Sequence, residues 1–160
     1  NTISEIEKIL NYHKNGDEIS KSEVESIIVS SSNVIVTDLV DAVFEKKTKG
    51  ISPLYHSVID EFNPAQILII TSNHVLRLME LLAEKTDSNL PSKQVIENSK
   101  PPIFFKRHPS FQKQLTTWNR DLLDDVIEIL SETTVETRKN NDLSVELTER
   151  CLLKISALKN

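Results

Sequence analysis

Glycine is scarce in this chain, because only Gly16 and Gly50 occur among its 160 residues. A parallel-sheet nucleotide-binding domain usually needs more glycine at the turns that lead from strand to helix. Leucine, isoleucine, glutamate and lysine are abundant instead, a composition that favours helices. Hydrophobic residues make up 38% of the chain, which is enough to bury a core. The sequence therefore predicts an all-α fold, a helical bundle.

Apolar residues recur at helical spacing near the amino terminus, but only in short stretches. The spacing predicts a first helix over residues 3–12, a short second helix around residues 20–28 and a third over about residues 37–46. Three serines at residues 30–32 separate the second helix from the third. Because two short helices with one apolar face each cannot bury those faces alone, we expect this polar break to be a domain boundary.

Helix ends are marked by glycine, proline and capping residues. Gly50 is expected to end the turn after the third helix, with Ser52 as N-cap and Pro53 as first residue of the fourth. Asn63 and Gln66 have the spacing of a capping box, which predicts the start of a long fifth helix. The remaining helices are expected over residues 92–97, 109–118, 119–139 and 143–158, with Asn119 as the cap of the third of these.

Residues for metal binding or catalysis do not occur in the required patterns. The four histidines are far apart and lack carboxylates or cysteines at metal-ligand spacing. His74 is expected to be a core or surface histidine. Cys151 lies in the apolar stripe of the last helix, where a cysteine is usually an inert small hydrophobic residue. No phosphate-binding glycine-rich loop or nucleophile motif is present, so we expect no cofactor, no metal and no catalytic site.

The carboxylates of the penultimate helix are close together in the sequence, as in an acidic catalytic cluster, but their spacing favours a solvent-exposed face. Asp124, Asp125 and Glu128 fall opposite the apolar residues Leu123 and Val126 of the same helix. A solvated helix face is therefore expected. An all-α hydrolase with a carboxylate site has little support from this spacing.

Global features limit the cellular setting. The net charge of −5 argues against a nucleic-acid footprint over the whole surface. No apolar run approaches the roughly 20 residues that a membrane span requires, and no signal peptide is visible. The single cysteine fits a reducing compartment, and we expect a cytoplasmic protein. Since the chain starts with Asn1 and enters a helical pattern directly, we expect a C-terminal portion of a longer protein.

Residues 100–108, with the sequence KPPIFFKRH, combine prolines, aromatic residues and cations. We call this segment the basic aromatic loop, because two prolines prevent a helix here. Aromatic rings beside lysine and arginine can stack on unpaired bases and neutralise phosphates. The alternative is that Ile103 and one phenylalanine fill the core while the cations face water. The candidate DNA-binding residues are Phe104, Phe105, Lys106 and Arg107.

This loop, followed by Phe111, Gln114 and Trp118, resembles the C-terminal region of the delta-subunit family of bacterial DNA polymerase III. That family belongs to the sliding-clamp loader. The resemblance extends over nearly the whole chain, and an ordered set of segments rather than any single motif carries it. The other similar segments, in the same order as in the family, are residues 4–10, 20–28, 38–43, 63–68 and 136–160.

The resemblance implies a division of the chain into two parts. Residues 1–33 would be the end of a truncated helical lid domain, with two short helices, and residues 34–160 a helical collar domain for oligomerisation. A collar of this type packs beside delta-prime and the ATPase subunits in a five-subunit ring. Residues 67–82, which are apolar on nearly all sides, suit its central helix. The sliding clamp would be bound by an N-terminal domain that precedes this sequence.

The resemblance also implies a function without catalysis in this chain. The expected role is to assemble the loader that places the clamp on primed DNA, within a holoenzyme that is a DNA-directed DNA polymerase. The basic aromatic loop would contact primer–template DNA near the emerging template strand. The alternative is a stand-alone helical DNA-binding or adaptor bundle, which predicts a self-contained fold with a clear basic face.

Overall fold

The computed structural model describes residues 21–159, with side chains from residue 33 onward. Over these residues the chain forms seven α-helices and no strand, which confirms the predicted all-α fold class. The helix predicted over residues 3–12 lies outside the described residues. The helices are α1 (Lys21–Phe44), α2 (Thr48–Val58), α3 (Pro64–Ser88), α4 (Ser92–Glu97), α5 (His108–Thr117), α6 (Arg120–Lys139) and α7 (Ser144–Ser156).

Helix α3 is the central element, since it packs against α1, α4, α5, α6 and α7. Its start is fixed by the predicted capping box. The Asn63 side chain accepts a hydrogen bond from the Gln66 backbone, and the Gln66 side chain accepts one from the Asn63 backbone, both at 2.9 Å. This reciprocal capping satisfies two backbone donors that a helix end would otherwise leave unpaired.

The expectation that α3 is apolar and buried on nearly all sides is only partly right. Ile67, Val75 and Leu78 are fully buried, but Ile69 and Leu76 are 60% and 51% exposed. The latter two share one face of the helix, because their spacing corresponds to two helical turns. The neighbouring helices therefore leave one stripe of α3 open to solvent.

Helix α1 runs without interruption through the three serines at residues 30–32. The polar break predicted there is therefore wrong, as is the separation of a second and a third helix. Serine disfavours a helix by less than about 1 kcal/mol per residue relative to alanine, so a short serine run does not by itself end one. The domain division between residues 33 and 34 stays a prediction, and it falls within a continuous helix.

Helix α2 begins at Thr48, so Gly50 and Pro53 both lie inside it. The predicted start at Ser52 and Pro53 is wrong. Proline removes the backbone donor that would pair with the carbonyl four residues earlier. That carbonyl belongs to Lys49, which is exposed, so water can take the place of the missing donor. The helix therefore tolerates an interior proline.

The carboxyl-terminal helices begin and end close to their predicted bounds. The Asn119 side chain caps α6, as predicted, by accepting a hydrogen bond from the Leu122 backbone at 2.9 Å. The hydroxyl of the buried Tyr55 donates to the carbonyl of Val145 at 2.7 Å, which joins α2 to α7. These contacts close the bundle around one continuous apolar core.

Trp118 joins the end of α5 to α1. Its ring is 3% exposed, and its indole N–H donates to the Phe44 carbonyl at 2.7 Å. The Lys46 ammonium group lies 4.8 Å from the centre of that ring. Lys46 also donates a hydrogen bond to the Leu158 carbonyl after α7. One indole and one lysine thus connect three separate parts of the chain.

We expect Trp118→Ala to lower the free energy of unfolding by about 3–5 kcal/mol, because it removes a buried ring and leaves the Phe44 carbonyl without its donor. Trp118→Phe keeps much of the apolar ring, so it should cost less. Urea denaturation followed by circular dichroism measures both variants. An alanine variant as stable as the unmodified chain would contradict this assignment.

Candidate nucleic-acid interface

The basic aromatic loop connects α4 to α5 and is held against α3 at its start. The guanidinium of Arg77 on α3 donates hydrogen bonds to the carbonyl of Lys100, at 2.9 Å, and to that of Pro101. Further along, Nε2 of His108 lies 2.8 Å from the carbonyl oxygen of Ile103. The backbone is irregular up to a single 3₁₀ turn, as the prolines predicted.

The two phenylalanines of the loop lie at the surface. Phe104 and Phe105 are 57% and 67% exposed, and their rings pack edge-to-face with centroids 4.9 Å apart. Lys106 beside them is also exposed. Ile103 packs against the core, but neither phenylalanine does, so the core-filling alternative is right for Ile103 alone. Exposed rings beside an ammonium group can stack on bases and hold a phosphate.

Arg107 has different surroundings from the other three candidate residues. Its Nε and Nη2 each donate to one oxygen of the Asp41 carboxylate on α1, both at 2.9 Å. Its guanidinium carbon lies 4.8 Å from the centre of the Phe111 ring. Such a bidentate pair is among the stronger side-chain interactions in proteins. A phosphate contact by Arg107 stays a prediction, and only its Nη1 lies outside this pair.

Asp41 is the centre of a hydrogen-bond network between helices. Its Oδ1 accepts a hydrogen bond from Nε2 of Gln114 at 3.0 Å, in addition to the one from Arg107. The same amide nitrogen lies 2.8 Å from Oγ of Ser110. The amide oxygen of Gln114 lies 2.6 Å from Nε2 of His74. Since that oxygen can only accept, His74 Nε2 carries a proton. The network joins α1, α3, α5 and the loop.

His74 is buried between two aromatic rings, as a core histidine. The Phe44 and Phe111 ring centroids lie 4.8 Å and 5.3 Å from the imidazole centroid. Burial lowers the pKa of His74 to about 4, and the Asp41 charge and the Gln114 hydrogen bond oppose that shift only in part. The imidazole is therefore neutral at pH 7, and it donates to the network rather than titrating within it.

Phe104 separates two surface clefts. One, of about 440 Å³, lies between the loop and α3 and includes Asn73 in its lining. The other, of about 710 Å³, lies between the loop and α1 and is lined by Val34, Lys106 and Asp38. Partial burial raises the pKa of the Asp38 carboxyl. Among the described residues, carboxylates line only the second of these two clefts. A nucleic-acid strand in the second cleft would meet these carboxylates beside Lys106, whereas a strand in the first cleft would not.

The sequence patterns did not indicate that Asp41 and Gln114 form the hydrogen-bond network that holds the loop. Asp41 is the only charged residue among residues 39–44, where all the others are buried apolar residues. A charge on a buried helix face requires a partner, and that requirement was the available signal. The partners nevertheless lie 66 and 73 residues further along the chain. Local patterns do not specify a pairing over that distance.

The other candidate groups have ordinary structural surroundings. Asp124, Asp125 and Glu128 are exposed, which confirms the predicted solvated face of α6. Cys151 is buried, and burial raises the pKa of its thiol, so the reactive thiolate is disfavoured. Among residues 33–159, whose side chains the structure describes, no three or more His, Cys, Asp or Glu side chains come together as a possible metal site.

Comparisons with known proteins add no support to the resemblance described for the sequence. No family model, curated protein or solved structure matches this chain. Within the described part of the chain, no helix has both the length and the apolar character needed to cross a bilayer.

We expect stability to fall on acidification below pH 6.5, the usual pKa of an unfolded histidine. Above that pH the imidazole is neutral in both states and contributes no slope. Between pH 6.5 and about 4, the unfolded chain binds a proton at His74 that the folded chain resists. Each pH unit in that window should remove up to about 1.4 kcal/mol.

Urea denaturation at several pH values between 5 and 7 measures this slope. His74→Gln retains a nitrogen donor for Gln114 but cannot titrate, so its stability should depend less on pH. Asn73→Gln, at the exposed neighbouring position, removes no titratable group and serves as the control, with the slope of the unmodified chain. Equal slopes for the unmodified chain and His74→Gln would rule out a contribution from the buried imidazole.

Proposed function

We propose that this chain forms the collar region of a delta subunit in a bacterial sliding-clamp loader. In this role it joins neighbouring subunits, and its basic aromatic loop contacts primer–template DNA. The ordered resemblance to the delta-subunit family carries the proposal. An all-α bundle is the architecture that such a collar requires. The proposed setting is the cytoplasm, and the proposed protein partners are delta-prime and the ATPase subunits.

The surface of the loop supports the DNA part of the proposal. Stacking of a base on an aromatic side chain contributes about 1–3 kcal/mol per base and tolerates any sequence. Phe104 and Phe105 are exposed and adjacent, so either ring is accessible to an unpaired template base. Lys106 is exposed beside them and would hold a phosphate. Because the Arg107 charge is balanced by Asp41, we assign the phosphate contact to Lys106 first.

Exposed apolar side chains outside the loop support the subunit-joining part. Ile69 and Leu76 form one set on the open stripe of α3. Val135 and Leu143, on α6 and in the turn after it, are each 49% exposed. A subunit in a ring of non-identical neighbours needs two different apolar surfaces, because each contact is heterologous. We propose these two sets as candidates for the joints.

A stand-alone DNA-binding bundle is the less favoured candidate. It requires cations gathered on one face, as in other proteins that neutralise several phosphates. Here Lys106 and Arg107 line the same cleft as Asp38 and Asp41, and the whole chain carries a net charge of −5. A small contact within a larger assembly fits this charge distribution better than independent DNA binding.

Assembly is the direct test. We expect native mass spectrometry of the chain mixed with delta-prime and the ATPase subunit of the same organism to reveal a complex containing this chain. Ile69→Glu combined with Leu76→Glu should weaken the complex without lowering the melting temperature, because both side chains are exposed. Lys93→Glu, at an exposed position on a different helix from both sets, is the charge control. Failure of the unmodified chain to bind either partner would refute the collar proposal.

A further inference from the structure

We infer that Asp41 is the positioning residue of the basic aromatic loop. Its carboxylate, acting through Arg107, holds the backbone that presents Phe104, Phe105 and Lys106. The effect of Asp41 on DNA binding rests on the proposed function. Its effect on loop conformation rests on the fold alone, so the two can be tested separately.

Arg107 closes the last turn of the loop through its backbone and joins the loop to α1 through its side chain. Its backbone N–H donates to the Phe104 carbonyl at 2.9 Å and closes the 3₁₀ turn. Its guanidinium grips both oxygens of Asp41 at 2.9 Å. Phe105 and Lys106 lie in the sequence between Phe104 and Arg107, the two residues that the backbone hydrogen bond joins. The position of the Asp41 carboxylate therefore determines where the two rings and the ammonium group are held.

Asp41 is itself fixed by the helices around it. Its side chain is only 10% exposed, and its Oδ1 is bound by Gln114 on α5. Gln114 is in turn bound by His74 on α3, and that imidazole packs between Phe44 and Phe111. Contacts from α1, α3 and α5 thus fix the position of the Asp41 carboxylate. The loop binds this carboxylate through one residue, Arg107.

Two roles of Asp41 predict DNA-binding effects of opposite sign. If Arg107 bound phosphate directly, Asp41 would be an opposing negative charge, and Asp41→Asn would tighten binding. If Asp41 positions the loop, the same substitution weakens the interaction with Arg107 and lets the rings of Phe104 and Phe105 move. Binding then weakens, even though the net charge has become more favourable for DNA. The sign of the change distinguishes positioning from simple electrostatics.

The binding experiment uses a loader assembled with this chain and a primer–template oligonucleotide that carries 2-aminopurine in the single-stranded template, titrated at several salt concentrations. Asp41→Asn should weaken binding several-fold and reduce the stacking-dependent change in fluorescence. Asp38→Asn removes a carboxylate near the loop without removing the bidentate partner of Arg107, so it should not weaken binding. Binding by Asp41→Asn that is unchanged or tighter than that of the unmodified chain overturns the inference.

Arg107→Lys provides a second variant that keeps the positive charge but loses the bidentate geometry. It should weaken binding in the same way as Asp41→Asn. The double variant should be little weaker than either single variant, since both remove one interaction. If Arg107→Lys binds DNA as tightly as the unmodified chain, the charge alone suffices and positioning is refuted.

Limited trypsin digestion tests loop position without DNA. Trypsin cleaves after Lys106 and Arg107, whereas Lys100 precedes a proline and resists cleavage. At a temperature where circular dichroism shows full helix content, Asp41→Asn should be cut in the loop several-fold faster than the unmodified chain. Equal cleavage rates overturn the inference.

The two measurements separate the possible failures. If the loader that contains the unmodified chain shows no stacking-dependent change in fluorescence, the proposed DNA contact fails and the cleavage rate alone decides the positioning role. If Asp41→Asn does not fold, Arg107→Lys carries both measurements, since it retains both trypsin sites.

Discussion

The bidentate ion pair between Asp41 and Arg107 links the interior of the bundle to the basic aromatic loop at its surface. A carboxylate that is largely withdrawn from water is unfavourable unless charge and hydrogen bonds compensate it. Here Arg107 supplies the charge and Gln114 a further donor, and both come from the chain that follows α4. Satisfying one carboxylate on α1 therefore sets the position of the loop and of α5 relative to α1 and α3.

This arrangement explains how a short irregular segment can hold two phenylalanines in water. Exposed aromatic rings gain nothing from core burial, and loops without anchors would bring such rings back onto the protein surface. Arg77 fixes the start of the loop and Arg107 its end, so Phe104 and Phe105 remain outside. Large adjacent apolar groups kept at a surface are typical of binding sites. The fold thus supplies the rigidity that the proposed contact requires.

Local signals in the sequence were sufficient wherever a few neighbouring residues determine the structure. The capping box at Asn63, the cap at Asn119 and the helix Ser92–Glu97 all follow from such neighbours. The serine run was misleading because serine disfavours a helix only weakly. Pro53 was misleading because Ile51 and Tyr55, on either side of it, are buried in the core. The role of Arg107 was not predictable locally, since its partner lies 66 residues away. The ion pair with Asp41 is a tertiary pairing that residue propensity does not indicate, and the phosphate contact of Arg107 stays a prediction.

The central claim is that the anchored loop presents its aromatic surface to template DNA. Photo-crosslinking from position 105 tests it most directly, because Phe105 is the more exposed of the two rings. A photoreactive phenylalanine analogue at this position, in a loader assembled on primer–template DNA, should crosslink to the single-stranded template. The same analogue at Asp125, on the solvated face of α6, should not. Crosslinks from position 105 to protein subunits alone would contradict the account and identify the loop as a protein–protein contact.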